Sequence, residues 1–430
     1  MVVHRHCRPL THFSTLLCIG ALLAKAEPFD ENILNLQAEA SEAIARWKDT
    51  FVQQCIAKTP KVRVLAVADQ VWAQDAGGAT LGLCATAYSL KKHGGTPEDF
   101  GVLGLKHAGP ENARTKAYWK WVFEGRLGIP RPDIPSDKLM KVMHIASLLV
   151  LDYLDLGLED DNTIVIMLDA FDTLFQGSLD QVKQTFCEMQ WKSRLDDFLL
   201  QPKYGPYAPN RGPRAEAWNE KVIFSAEENC YPWPNYHDKV ARDDWYYGLR
   251  SSSKLEIPIT ADRSIFGDDV CFELERYSRG DRRFLNAGGI AARVKDLRNF
   301  LFLNSKLIQL GEFLDQGAYQ RLMVLRPDMV LLDVEAHFFL NLHRAPKAAG
   351  EPFEGNCWRE DHLNLPLTIH NHTPMVIHFN GNGKGIYNKC RRAMLGEHLK
   401  LRSCSDYIDL DNLWNVSKAR ETIRRRVRLR

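Results

Sequence analysis

Met167-Leu168-Asp169-Ala170-Phe171-Asp172-Thr173-Leu174-Phe175-Gln176 sets two carboxylates three residues apart, directly after the apolar run Thr163-Ile164-Val165-Ile166-Met167-Leu168. That run is rich in β-branched residues and follows the turn-forming Glu159-Asp160-Asp161-Asn162, so it reads as a buried strand. Carboxylates at the end of such a strand are costly to bury unless a cation or strong donors meet them. Hard oxygen ligands suit Mg²⁺ or Mn²⁺, which commonly bridge carboxylates and substrate phosphates. The pattern points to a metal-assisted phosphate or nucleotide site. Two other readings stand beside it. Phosphatases with an aspartyl nucleophile space their carboxylates at i and i+2, which the i, i+3 spacing here does not match. A surface turn in which one Asp caps the helix near Leu179 needs no metal at all.

Outward from this strand the chain alternates strands and helices. Residues 27–60 read as an amphipathic helical lead-in closed by Pro60. Residues 61–68 follow as a strand, 78–92 as a helix and 100–105 as a strand. Ser136-Asp137 fits the start of a long helix, Lys138 to about Asp155, and Leu179–Met189 fits another. Lys221–Ser225 and Phe284–Ile290 are further ordered segments. Helices over 294–309 and 315–325 and strands over 329–333 and 375–379 complete the series. This alternation predicts an α/β fold with a mixed, mostly parallel sheet flanked by helices. In such sheets ligands gather beyond the carboxyl ends of the strands, where Asp169 and Asp172 stand.

A chain of 430 residues, 45% hydrophobic and 26% charged, is long enough for a large core, and its net charge of +2 gives no argument for nucleic acid. The basic end Arg424-Arg425-Arg426-Val427-Arg428-Leu429-Arg430 reads as a solvated tail. At the other end His4, Arg5, His6 and Arg8 precede the apolar stretch Ser14–Leu23, and Ala24-Lys25-Ala26 supplies a cleavage pattern. That stretch is shorter than the roughly 20 residues that span a bilayer, so residues 1–26 are expected to be a signal peptide and the mature chain to hold no membrane span. The expected location is the secretory pathway: the endoplasmic reticulum or Golgi lumen, or secreted. Of ten cysteines, Cys7 and Cys18 leave with the signal, and an even set remains for disulfides. Asn415-Val416-Ser417 is a better glycosylation sequon than Asn371-His372-Thr373, which Pro374 follows.

Further fragments follow the D-x-x-D strand in fixed order. They are Val222-Ile223-Phe224-Ser225-Ala226-Glu227-Glu228-Asn229-Cys230-Tyr231-Pro232, Phe284-Leu285-Asn286-Ala287-Gly288-Gly289, Asp315-Gln316 and Val376-Ile377-His378-Phe379-Asn380-Gly381-Asn382-Gly383-Lys384. Together they resemble the glycosyltransferase domain of the procollagen-lysine hydroxylase/glycosyltransferase (lysyl hydroxylase, PLOD-like) family, over roughly residues 61–390. The resemblance implies a GT-A-like fold that binds a UDP-sugar donor and Mn²⁺ and passes a hexose, glucose or galactose, to a hydroxyl acceptor on protein or glycan. It implies that Asp169, Asp172 and His378 hold the metal, a donor set that suits Mn²⁺. Val67, Ala68, Asp69, Lys138 and Phe171 then face the nucleotide. Asn286, Gly288 and Gly289 lie near the donor sugar, and Asn380, Gly381 and Gly383 near the diphosphate, with Lys384 offsetting leaving-group charge. Asp315 becomes the residue that positions or deprotonates the acceptor.

The stretches near 107–135 and 229–282 match nothing in the family and read as insertions, and 391–430 as a C-terminal extension. Acceptor choice usually lives in such loops, so hydroxylysine is one acceptor among several. No H-x-D…H iron triad stands in the chain, which ends at Arg430 soon after the matched region, so hydroxylation is not expected. The rival reading is a catalytically inactive glycosyltransferase-like protein that binds sugar nucleotide or glycan.

Overall fold

The computed structural model describes residues 31–67, 77–103, 144–169, 171–200, 220–228, 230, 274, 282–309, 315–343, 369, 372–383, 387, 390 and 391. The expected signal peptide, the insertion near 107–135, all of that near 229–282 but Cys230, Leu274 and Arg282, all but Arg391 of the C-terminal extension, and Ala68, Asp69, Lys138 and Lys384 lie outside them. The chain divides into two units, one formed by residues 1–59 and 183–218, the other by 60–182 and 219–430.

In the first unit, helix α1 (Glu31–Ala57) realises most of the expected lead-in. Cys55 is bonded to Cys187, the rings of Trp47 and Trp191 stand 6.0 Å apart edge to face, and the Arg194 guanidinium lies 4.6 Å over Phe51. These contacts explain why the helix expected to stop at Met189 runs on to Leu200. Its later turns carry Trp191 and Arg194, which pack on α1.

In the second unit, β1 (Val62–Val67), α2 (Gly77–Lys92), β2 (Phe100–Leu103), α3 (His144–Asp155) and β3 (Ile164–Asp169) come first. The short β4 (Thr173–Phe175) leads into α4 (Leu179–Leu200). After it come β5 (Val222–Glu227), β6 (Phe284–Arg293), α5 (Val294–Gln309), α6 (Asp315–Leu325) and β7 (Val330–Asp333). Six strands form one sheet in the order β2-β1-β3-β6-β5-β7. β1 pairs parallel with β2 and β3, and β5 with β7, while β6 runs antiparallel to both neighbours. The expected mixed, mostly parallel sheet is therefore present, with one reversed strand. β3 is buried on both faces as far as Leu168, as its unbroken apolar run requires.

The core packs Leu65, Met167, Phe224 and Ile290 from the sheet against Leu149, Phe300 and Tyr319 from α3, α5 and α6. Phe224, Phe300 and Tyr319 form a ring triangle with centroids 5.2, 5.3 and 5.6 Å apart, and each such pair adds about 0.5–1.5 kcal/mol beyond area burial. At the strands' other end the buried Arg293 is paired with Glu220 and donates to the Asn162 carbonyl. That arrangement removes the cost of an unpaired interior charge. Among the described residues no helix is long and apolar enough to cross a membrane.

A second sheet, not foreseen in the sequence, has the order β4-β9-β8, with β8 (Phe339–Asn341) parallel and β4 antiparallel to β9 (Val376–His378). β9 is the strand expected over 375–379, whereas β4 and β8, three residues each, carry too little alternation to be read in advance. α2 braces β4. The Thr86 hydroxyl donates to the Thr173 carbonyl at 2.8 Å, and the Phe175 amide donates to the Ser89 hydroxyl at 2.9 Å. Gly82 of the same helix presses on the D-x-x-D turn so closely that an added Cβ would lie 2.1 Å from the Phe171 carbonyl oxygen. Ala in a helix normally gains over Gly by about 1 kcal/mol. Here Gly82→Ala is expected to destabilise by about 1–3 kcal/mol instead, because backbone must move. Thermal unfolding checks this, and an unchanged or raised midpoint would show that the turn is not held against the helix.

Candidate metal centre

Asp169 ends β3, and the next turn brings Asp172 to the start of β4. The Thr173 hydroxyl closes that turn by donating to the Asp169 carbonyl at 2.9 Å. β4 then pairs with β9 so that Thr173 stands opposite His378, and the Phe379 amide donates to the Asp172 carbonyl at 2.8 Å. Two carboxylates read from one motif thereby meet an imidazole more than two hundred positions later. One ligand atom from each of Asp169, Asp172 and His378 lies within 4.8 Å of the others. His378 Nε2 is 3.4 Å from Asp172 Oδ1 and 4.0 Å from Asp169 Oδ2. Ligands bound at about 2.1 Å to one octahedral ion stand about 3 Å apart when adjacent, so modest closure would bring these three donors onto one ion.

The imidazole is oriented for that task. Its Nδ1 lies 2.8 Å from Asn341 Oδ1, and Asn341 Nδ2 donates to the Ala226 carbonyl at 3.0 Å, which fixes the amide's sense. An amide oxygen only accepts, so Nδ1 carries the proton and Nε2 faces the two carboxylates. Two anions facing Nε2 call for positive charge there, a proton or a metal ion, and an outer partner of this kind is the usual companion of a metal-binding histidine. Burial alone would lower the His378 pKa. The Asp172 carboxylate, followed by Asp169 and Glu227, outweighs that and holds it above its ordinary value. The residues therefore fit a divalent first-row ion by donor type, spacing and outer support.

Two glycines make room for rings rather than for loop bends. A Cβ on Gly288 would lie 2.0 Å from His378 Cε1, and one on Gly289 would lie 2.6 Å from the Phe339 ring. Three residues of β6, 287–289, fall at the irregularity where pairing with β5 jumps from Phe224↔Ile290 to Ser225↔Asn286. Asn286 holds this bulge, its Oδ1 accepting from the Gly288 amide at 2.8 Å. The space beside Gly288 is thus taken up by the imidazole itself.

Glu227, quoted in the sequence only as part of a fragment, proves to be central. It ends β5, buried, accepting from Gln316 Nε2 at 2.6 Å and from Asn380 Nδ2 at 3.0 Å. Burial pushes its carboxyl up to about 7, against the pull of the Gln316, Asn286 and Asn380 amides and of His378. Asp315, which opens α6 and accepts from the Gln316 amide at 2.6 Å, is pushed up to about 6, by burial first and also by the charge of Asp169. The site thus joins a ligand set to two carboxyls poised between acid and base near neutral pH. Neither signal was available in sequence, since raised values come from enclosure by distant segments.

Of the remaining expected residues, Val67 is the β1 partner of Asp169, and Phe171 is half-buried within the turn. Asn380 is buried, with Oδ1 accepting from the His343 amide at 2.9 Å. Gly381 has φ +52°, a region that favours glycine, and Gly383 closes the turn by donating to the Asn380 carbonyl at 2.8 Å.

No family model matches the chain, and no curated protein matches it in sequence. Among solved structures, the apo structure of the bifunctional glycosyltransferase WbbM is similar at a TM-score of 0.33 and 12% identity, over 80% of this chain and 51% of that one. A likeness of that degree carries no argument about this chain.

Gly288→Ala and Asn341→Ala leave all three ligands in place yet disturb the His378 ring. Each is expected to weaken Mn²⁺ binding by about 10–100-fold, the usual cost of losing outer support. Calorimetric titration checks this, and unchanged affinity would remove His378 from the metal shell. Glu227 makes a second, pH-dependent prediction. Its folded value of about 7 exceeds the ordinary 4.5, so the native state binds the proton more tightly. Stability of the metal-free protein should therefore fall as pH rises from about 4.5 to 7 and level off above. The contribution is on the order of 3 kcal/mol. Glu227→Gln should flatten the upper part of that fall, where Asp315 contributes least. Unfolding midpoints with the slope unaltered would refute it.

Proposed function

We propose that the chain is a metal-dependent glycosyltransferase of GT-A-like fold that moves a hexose, glucose or galactose, from a UDP-sugar to a hydroxyl acceptor on protein or glycan. The observation that carries this reading is the Asp169–Asp172–His378 cluster at the carboxyl end of β3, with Glu227 and Asp315 raised beside it. A single reversed strand in the large sheet and a small second sheet that delivers the imidazole support the fold assignment. The acceptor class follows from the fragments' resemblance to the lysyl hydroxylase glycosyltransferase domain, in which hydroxylysine takes the sugar.

Asp169, Asp172 and His378 would hold Mn²⁺, whose chemistry is to bind diphosphate oxygens and stabilise charge on the departing UDP. The protein residues do the rest. Val67, in register with Asp169, would face the nucleotide end of the donor. Phe171, half-buried between the two carboxylates of the turn, would be the ring that stacks on the base. Asp315 and Glu227, with values near working pH, are the groups able to take the acceptor's proton or orient its hydroxyl. Gln316 couples them, since its backbone amide donates to Asp315 and its side chain to Glu227. A lumenal or secreted location accords with the Cys55–Cys187 bond and with Cys84, Cys230 and Cys390 also being disulfide-bonded.

With UDP-glucose or UDP-galactose and Mn²⁺, the protein should release UDP, EDTA should stop the release, and Asp169→Ala should lower it at least about 100-fold, as loss of transition-state charge stabilisation does. No release from any common UDP-sugar, with Asp169→Ala and the unaltered chain alike, would sink the enzyme reading. UDP binding without turnover would favour a sugar-nucleotide binding protein instead.

A further inference from the structure

We infer that His343 is a further donor-binding residue whose imidazole contacts the diphosphate beside the metal centre, an inference that rests on the glycosyltransferase reading above. β8 and β9 run parallel with Asn341 opposite His378, and the Leu342 amide donates to the His378 carbonyl at 2.9 Å. Residues opposite each other in a parallel pair share a face, and here the Asn341 side chain does reach the His378 ring. Position 343 follows two residues later, just beyond the strand's carboxyl end. Its backbone is pinned there by donation to Asn380 Oδ1 at 2.9 Å.

The ring itself is seated on the glycine turn. A Cβ on Gly381 would lie 1.8 Å from His343 Nδ1, 2.6 Å from Cε1 and 2.8 Å from Cγ, so the Nδ1 edge of the ring lies against Gly381 and Nε2 occupies the far edge. Gly381 is exposed and His343 half-buried, which places this ring at the rim of the site rather than in the core. His343 and the 381–383 turn thus both stand just past the carboxyl ends of the strands that carry Asn341 and His378. A diphosphate bound beside His378 and lying over the 381–383 turn would meet the His343 ring seated on Gly381. An imidazole N–H donated to a phosphate oxygen is a charge-assisted bond.

The test uses Mn²⁺ alone and then inorganic pyrophosphate with the Mn²⁺-saturated full chain, read by calorimetry for the unaltered protein, His343→Ala and His343→Gln. Mn²⁺ affinity is expected to stay within twofold in both variants. Pyrophosphate affinity should fall about tenfold in His343→Ala and recover in part in His343→Gln, which keeps an N–H donor. Equal pyrophosphate affinity in all three would overturn the inference while leaving the metal and donor reading intact. A parallel loss of Mn²⁺ and pyrophosphate binding would overturn it too, because His343 would then serve only to build the turn. Failure of the unaltered Mn²⁺-loaded protein to bind pyrophosphate would take down the diphosphate reading and the inference together.

Discussion

The Phe379 amide donates to the Asp172 carbonyl, and next to it Thr173 pairs with His378; the centre depends on this junction between two sheets. Asp169 belongs to the large sheet, whereas Asp172 and His378 are carried by the small one. The single turn 169–172 therefore sets both the spacing of the carboxylates and the docking of one sheet on the other. The Thr173 hydroxyl ties the turn to β3, and Thr86 ties the following residue to α2. Each bond is worth only about 1 kcal/mol net. Their collective effect is geometric, because a short β-strand leaves little room for register slip once its neighbours on both sides are fixed.

That junction concentrates negative charge. Asp169, Asp172, Glu227 and Asp315 interact electrostatically with one another or with His378, and several are buried. In a metal-free protein the cluster adapts in the ordinary ways: the imidazole is held toward its charged form while Glu227 and Asp315 are held toward their neutral forms. A dication at Asp169, Asp172 and His378 would change that balance, freeing the outer carboxyls to ionise and act as bases. The amides around Glu227 are arranged for such a change. Gln316 accepts from the Ala287 backbone while donating to Glu227, and Asn380 accepts from the His343 backbone while doing the same. Their donors stay aimed at the carboxyl whichever form it takes.

The ordered fragments made the ligand set legible in the sequence, and the alternation of apolar runs made the large sheet legible. β3 was readable because burial on both faces leaves an unbroken apolar run, and Asp169–Asp172 because the motif follows it directly. The support was not readable. Asn341 sits in Phe338-Phe339-Leu340-Asn341-Leu342, where a lone amide in an apolar run has no local meaning, and its partners His378 and Ala226 are 37 and 115 positions away. Glu227 meets Asn380 across 153 positions. Gly82 looked like an ordinary helical residue, and only the turn pressed against it shows why a side chain is excluded.

Glycine's part in the site also differs from the one its sequence context invites. Gly-rich segments beside a nucleotide site are usually read as letting backbone approach the ligand. Here the volume beside Gly288 is filled by the His378 ring and that beside Gly381 by the His343 ring. Both imidazoles thus rest on a backbone surface instead of on flexible side chains. A ring packed on backbone cannot swing toward it; the His378 ring is further held at Nδ1 by the Asn341 amide, and the His343 backbone by the Asn380 side-chain carbonyl. Such seating restricts ring orientation before any ligand arrives, which reduces the ordering that binding must otherwise impose. The glycines act on the ligand at one remove, by fixing the side chains that would meet it.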